Sequence, residues 1–375
     1  MTLLHAWRPS TTEISTAPYS NIRQQDAAGT GSETYLSTGG RFGEAVVADD
    51  TESTSSSMSF DLNGGQRDWD GANGIFILTS VYIEGSAATG GDIQNIITIG
   101  DRDSGINPDN NLFMLHIWPS GNWHVRGDGT SRFGPDAGIT SEQSALRFFA
   151  WNSIEIKVTE HASAGTLTMK INGITVINNL DIGDTTSTDG PADVTFWGGE
   201  INTGAAGTKG IRYGDTLILD GNGSEFNDFI GDFRFEVDAG PTGDGTTTAW
   251  TSAGAGAAYV EIDDTEGTPD DDTTYIESTT AAQDSFVTYA GATLTNVNNI
   301  YGVLLGSYAR DDAGSAPLQI AHRVDSSGTF ATGTTYALLA TYELVWDIFD
   351  VDPNTAGAWT KTTIDAAEWG VQSIT

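Results

Sequence analysis

Between Trp151 and Asp181 the chain reads WNSIEIKVTEHASAGTLTMKINGITVINNLD, and few folds accept such a stretch. Ile154, Ile156 and Val158 alternate with Glu155 and Lys157, and Leu167, Met169 and Ile171 repeat the same two-residue period. A period of two puts one set of side chains on one face of a β-strand and the other set on the opposite face. Asn172-Gly173 then supplies the residue pair that a two-residue hairpin turn needs, because both central positions of a type I′ turn take positive φ. The stretch predicts a three-stranded antiparallel meander whose register is pinned by that turn.

The same reading extends along the chain. Strands are expected at Glu44–Ala48, Gly74–Glu84, Ile93–Gly100, Asp215–Asp220 and Asp232–Val237. Leu112–Trp118 and Trp123–Arg126 flank the short turn Pro119–Asn122 and read as a hairpin. Further on, strands are expected at Ala258–Asp263, Asp284–Ala290, Ile300–Ala309, Leu318–Val324 and Thr335–Phe349. No long segment has a helical period; Asp365–Gly370 alone offers a helical turn, and 46 glycines against 4 methionines fit turns and strands. The chain is all-β. At 375 residues it has room for two domains, and the flexible-looking AGPTGDGTTT at Ala239–Thr248 separates them into 1–238 and 239–375.

Charge restricts the partners. Sixteen basic and 51 acidic side chains give a net charge of −35, shared by both halves: 1–234 holds 13 basic and 30 acidic residues, 235–375 holds 3 and 21. Such a field repels phosphate backbones, which argues against nucleic acid as a ligand. No cysteine is present, so neither disulfides nor thiol chemistry hold the fold. The first residues, MTLLHAWRPSTTEIS, lack the basic and apolar regions of a secretion signal. Tyr336–Phe349, the most apolar stretch, is interrupted by Glu343 and Asp347 and too short to span a bilayer, so membrane insertion is not expected.

Trp151, Ile154–Val158, Gly165–Leu167, Ile171–Gly173, Tyr213, Asp215 and Asp220 form a series that resembles a concanavalin A-like (laminin-G-like) sandwich. NDFIGDFRFEV at Asn227–Val237, TPDDDTTYIES at Thr268–Ser278 and DPNTAGAWTKTTIDAAEWGV at Asp352–Val371 follow in order. Together they are similar to tailed-phage virion proteins of the minor-tail or tail-fibre type. The resemblance covers roughly residues 40–375. It implies a concanavalin A-like jelly-roll sandwich followed by a second, smaller β-sandwich. It also implies a non-enzymatic virion component, made in the host cytoplasm, whose partners are other virion proteins, further copies of itself (a trimer by analogy with phage appendages) and host-surface polysaccharide.

The concanavalin A-like fold also hosts glycoside hydrolases that carry E-x-D-x-x-E on one strand. Here the stretch reads EIKVTE, with Lys157 in the middle position, and Glu160 falls on the other face from Glu155. A retaining pair needs two carboxyls ~5–5.5 Å apart on one face. The polar residues of this strand are therefore expected on a solvated face. Sugars are typically held by aromatic faces with polar neighbours, which makes Trp118, Trp123, Trp197 and Tyr213, with Arg126 and Asp128, the carbohydrate-binding candidates. Trp118 and Trp123 would sit at the exposed edge of one hairpin. His116 and His124 face each other across it with no third ligand spaced to complete a zinc site. Asp101, Asp103, Asp270 and Asp272 are the calcium candidates; no other cofactor is expected. His322 shares a face with Ile320 and Val324 and reads as a hydrogen-bonded core residue. No serine or histidine stands in a recognisable nucleophile motif.

Overall fold

The computed structural model divides the chain into two compact units, Met1–Phe235 and Glu236–Thr375. In the first it describes residues 3–7, 22–26, 32–36, 41, 45–49, 56–61, 74–83, 94–101, 111–117, 123–126, 132–133, 146–159, 161, 163–183, 192–198, 210–221, 228–231 and 233–235. In the second it describes 240–254, 256–264, 270, 272–289, 294, 299–312 and 319–374.

Two antiparallel sheets build the first unit. One runs Ile174–Gly183 (β13), Gly165–Ile171 (β12), Trp151–Thr159 (β11), Ile75–Ile83 (β6), Gly210–Asp220 (β15), Ala45–Asp49 (β4) and Ser32–Leu36 (β3), with Leu3–Trp7 (β1) also pairing with β15. The other runs Arg132–Phe133 (β10), Trp123–Arg126 (β9), Asn111–Ile117 (β8), Gln94–Asp101 (β7), Ala192–Gly198 (β14), Ser56–Asp61 (β5) and Ile22–Asp26 (β2). The predicted meander is β11–β12–β13. Asn172 and Gly173 take φ of 52° and 78°, as the two-residue turn requires. Ile154, Ile156, Val158, Leu167, Met169 and Ile171 all point into the core between the sheets, meeting Ile97, Ile99, Leu115 and Val125 from the other side. This is a lectin-like jelly-roll sandwich.

The first sheet is covered on its outer face as well. Residues 228–231 and 233–235 lie along it: Phe229 meets Phe76 edge-to-face at 5.7 Å, the Gly231 N–H donates to Glu155, and the Phe235 N–H donates to Asp215. A strand buried on both faces needs apolar residues throughout rather than alternation. That accounts for β6, whose IFILTSVYI is buried at every position but Tyr82.

The expected strand at Asp232–Val237 does not form among its described residues: 233–235 are irregular, their backbone held by a side chain instead of a ladder. The alternation there survives only in Phe233 and Phe235, which meet edge-to-face at 5.6 Å.

In the second unit a five-stranded antiparallel sheet runs Gly243–Thr248 (β16), Asp284–Thr288 (β19), Glu368–Ile374 (β24), Gln319–Ser326 (β21) and Thr329–Ala337 (β22). A two-stranded ribbon, Val303–Ala309 (β20) with Glu343–Phe349 (β23), packs on it. Thr251–Ser252 (β17) and Ile276–Glu277 (β18) make a second small ribbon. Val324, Phe349, Trp359, Ile364 and Trp369 form the core between sheet and first ribbon, joined by Val303 and Leu305. A sheet faced by a ribbon is the second, smaller sandwich.

Four local expectations change. Gly243–Thr248 is an edge strand rather than part of a flexible join, because its backbone pairs with β19. Ala258–Asp263 begins as a 3-10 turn, Ala258–Val260, not a strand. Thr335–Phe349 is two strands that pair with different partners, β22 with β21 and β23 with β20. The helical turn lies at Lys361–Ala366 (α1), started by a capping box in which Thr360 and Thr363 bond reciprocally, and Glu368 onward is strand. Among the described residues no helix is long and apolar enough to cross a membrane.

Candidate functional site

The hairpin of β8 and β9 forms as expected, but it does not present Trp123. That residue is 1% exposed and lies in the core with Leu115, Ile117 and Val125, which corrects its assignment as a sugar platform. Large aromatics next to a strand turn are drawn inward when alternation gives them the core face, and Trp123 has that parity. Tyr213 is likewise a core residue, its hydroxyl donating to the Ile96 carbonyl at 2.8 Å. Arg126 ends β9 opposite Met114, and Trp197 lies on β14 opposite Ser57. Trp118 and Asp128 lie outside the described residues.

His116 and His124 do meet, stacked at 4.6 Å with their rings 7° apart, both buried on the face of β8–β9 away from the core. Among the described residues no group of three or more His, Asp or Glu is arranged to hold a metal ion. Asp270 spends its carboxylate on the Thr274 N–H and hydroxyl, and Asp272 pairs with Arg310 at 2.8 Å and accepts from the Tyr342 hydroxyl. Asp101 closes β7, and Asp103 lies outside the described residues.

Glu155 is not on a solvated face. It is 1% exposed and accepts the Gly231 N–H at 2.9 Å, while Lys157 lies over the Phe76 ring at 4.8 Å. The same use of carboxylates recurs through the chain. Asp215 accepts the Phe235 N–H at 2.8 Å; Glu261 accepts those of Gly254 and Gly256 at 3.1 and 3.0 Å; Asp352 accepts that of Asn354 at 3.0 Å. With Asp347, described next, every buried carboxylate among the described residues accepts a main-chain N–H. A buried charge needs hydrogen bonds to stay ionised, and this chain has few cations to offer. For Asp352, burial pushes the carboxyl up, but bonds from Ser326, Asn354 and Thr355 outweigh it and hold the group below its ordinary value.

The arrangement with the most chemistry in it lies in the second unit. Ser307 on β20 and Asp347 on β23 both point from the ribbon toward the sheet, where His322 on β21 is fully buried. His322 Nδ1 is 2.9 Å from Asp347 Oδ2, and its Nε2 is 3.0 Å from Ser307 Oγ. Asp347 Oδ1 accepts the Thr334 N–H at 2.9 Å and the Tyr336 hydroxyl at 3.2 Å. Burial raises the Asp347 pKa, but the bonds from His322 and Thr334 and the attraction of His322 outweigh it, so it stays below the ordinary value. An ionised carboxylate only accepts, so Nδ1 donates to Asp347, and in the neutral ring Nε2 accepts from the serine. Gly333 is required beside it, because a methyl there would run into the Asp347 carboxylate.

Alternation marks His322 as buried, but Ser307 and Asp347 reach it from two other strands, 15 and 25 positions away. No local motif connects the three; only the ribbon's docking brings them together.

No protein-family profile matches the chain, and no curated protein matches it in sequence. Solved structures resemble it distantly. A sialidase aligns over 59% of this chain at 10% identity and a TM-score of 0.40, and the chain spans 19% of that protein. An alginate lyase, vAL-1 from Chlorella virus, aligns over 58% of this chain and 100% of its own at 12% identity and 0.40. A carbohydrate esterase from Shiga toxin-encoding bacteriophage phi24B aligns over 58% and 97% at 16% identity and 0.36. No feature of the chain's chemistry rests on these likenesses.

Proposed function

We propose that this chain is a structural protein of a tailed-phage virion, a tail, fibre or capsid-surface component whose first sandwich meets host-surface glycans. The observation that carries the reading is the use of buried carboxylates as braces: Glu155, Asp215, Glu261, Asp347 and Asp352 each tie down main chain. A chain without cysteine that must stay rigid outside the cell gains fixed loops in this way, and its surface charge keeps particles apart in solution. The sequence resemblance to minor-tail and tail-fibre proteins points to the same place. Assembly needs no catalysis, and the partners are other virion proteins and further copies of this chain, with three copies the expectation by analogy. Repetition on one particle lets weak glycan contacts add through effective concentration.

With Trp123 in the core, Trp118 and Trp197, with Arg126 and Asp128, remain the glycan candidates. The rival, a glycan-cleaving enzyme of the same fold, needs a carboxylate pair on β11. Glu155 is committed to Gly231, and the middle position is Lys157, so the rival is disfavoured.

Immunogold electron microscopy of gradient-purified particles tests the reading: label is expected at one repeated location on intact particles. Label confined to host debris would refute it. On a glycan array, binding by the full chain that Trp118→Ala or Trp197→Ala removes would locate the sugar contact; binding untouched by both would place it elsewhere.

A further inference from the structure

We propose that Ser307, His322 and Asp347 form a nucleophilic acyl-transfer site that cleaves small, uncharged carboxylic esters. The proposal goes beyond the virion reading and does not depend on it. Three features of the second unit carry it. First, the hydrogen-bond order is Ser307 Oγ to His322 Nε2, and His322 Nδ1 to Asp347 Oδ2, at 3.0 and 2.9 Å, which is the order a serine nucleophile, its general base and the base's orienting carboxylate need. Second, the carboxylate is itself held on its other oxygen by Thr334 and Tyr336, which fixes the acceptor that orients the imidazole. Third, burial is graded. His322 and Asp347 are buried while Ser307 is only half-buried, so of the three the nucleophile lies nearest to solvent.

The balance of the reaction is complete without a further reactant. Ser307 Oγ bonds to the ester carbonyl carbon as its proton passes to His322 Nε2, and the carbonyl π pair moves to oxygen. When the tetrahedral adduct collapses, the alkoxide leaves and takes the proton from Nε2, giving an alcohol and acyl-Ser307. Water then adds to the acyl carbon, its proton going to Nε2; collapse releases the carboxylic acid and returns the proton to Ser307 Oγ. Asp347 stays ionised throughout and acts as a positioning residue, holding the tautomer and stabilising the imidazolium. The field of the unit restricts the substrate: with 3 basic and 21 acidic side chains in 236–375, anionic esters are repelled while neutral ones are not.

The test uses the full chain with p-nitrophenyl acetate as substrate and a fluorophosphonate as covalent probe. Hydrolysis above the uncatalysed rate is expected, with probe mass on the peptide that contains Ser307. Ser307→Ala should abolish both while the chain still melts cooperatively. Asp347→Asn should lower the rate by about 10³–10⁴-fold and change its pH profile, since the wrong tautomer must be overcome; unfolding by this variant would leave the serine result to decide. Wild-type chain that neither hydrolyses the ester nor takes up the probe overturns the proposal, as does labelling on a different serine. In either case the three residues are a brace between ribbon and sheet and nothing more.

Discussion

Glu155 shows how much a single carboxylate is asked to do. It lies buried on the outer face of β11 and accepts the Gly231 N–H there. Removing the acceptor leaves a buried donor unsatisfied, which costs ~1–3 kcal/mol. Glu155→Ala should therefore lower stability by that amount, and Glu155→Gln, which keeps an oxygen in place, should lose less. Thermal melts of the two variants beside the parent chain check the order; equal losses would show that the charge, not the bond, matters.

Asp347 and Asp352 give a pH signature at the same scale. Both have folded pKa values below the ordinary 3.8, because hydrogen bonds outweigh the burial that would raise them. A group depressed in the folded state stabilises the fold fully above its unfolded value, and that contribution fades as pH falls through the folded value. The melting temperature of the second unit should hold steady near neutral pH and drop as pH falls below about 4. Asp352→Asn should flatten part of that drop, measured by calorimetry across the acid range.

At the scale of elements, the second unit depends on its last strand. β24 lies at the centre of the five-stranded sheet, between β19 and β21, and places Trp369 in the core against Phe349 and Trp359. Gly370 passes so close to Ser285 and Phe286 that even a methyl group would strike the neighbouring backbone. Gly370→Ala should abolish the cooperative melt of this unit while leaving that of the first unit in place. Two separable melting transitions in the parent chain, one of them lost in the variant, would show it; an unchanged second transition would mean that β19 and β24 can move apart at small cost.

The elements also explain what could be read beforehand. β11, β12 and β13 were legible as a meander, because one face is core and Asn172-Gly173 makes the turn, but the register shifts between β12 and β13 carry no such signal. The placement of Trp123 was not, since its alternation with His124 is clear but nothing local says which of the two faces is core. Residues 233–235 alternate like a strand yet pair with no strand, because Asp215 captures the Phe235 N–H. The Ser307–His322–Asp347 contact was hidden for a related reason: a ribbon's docking on a sheet is a long-range event, and the residues that meet there carry no spacing signal.

At the scale of the whole molecule, each unit has its own hydrophobic core, one built from Ile156, Leu115 and their neighbours and one from Val324, Trp359 and Trp369. Fragments 1–238 and 239–375 should each fold and melt cooperatively. The cut must fall before β16, because a fragment starting at Ala249 loses the edge strand that pairs with β19. The shorter fragment beginning at Ala249 should be less stable than 239–375; equal stability would show that β16 adds nothing to the sheet.

The central claim is that the protein is built into a particle, and stoichiometry tests it most directly. Quantitative mass spectrometry of gradient-purified virions should find this chain at a fixed copy number relative to the major capsid protein, unchanged by further purification and by high salt. Copies that fall with each purification step toward zero would contradict the account.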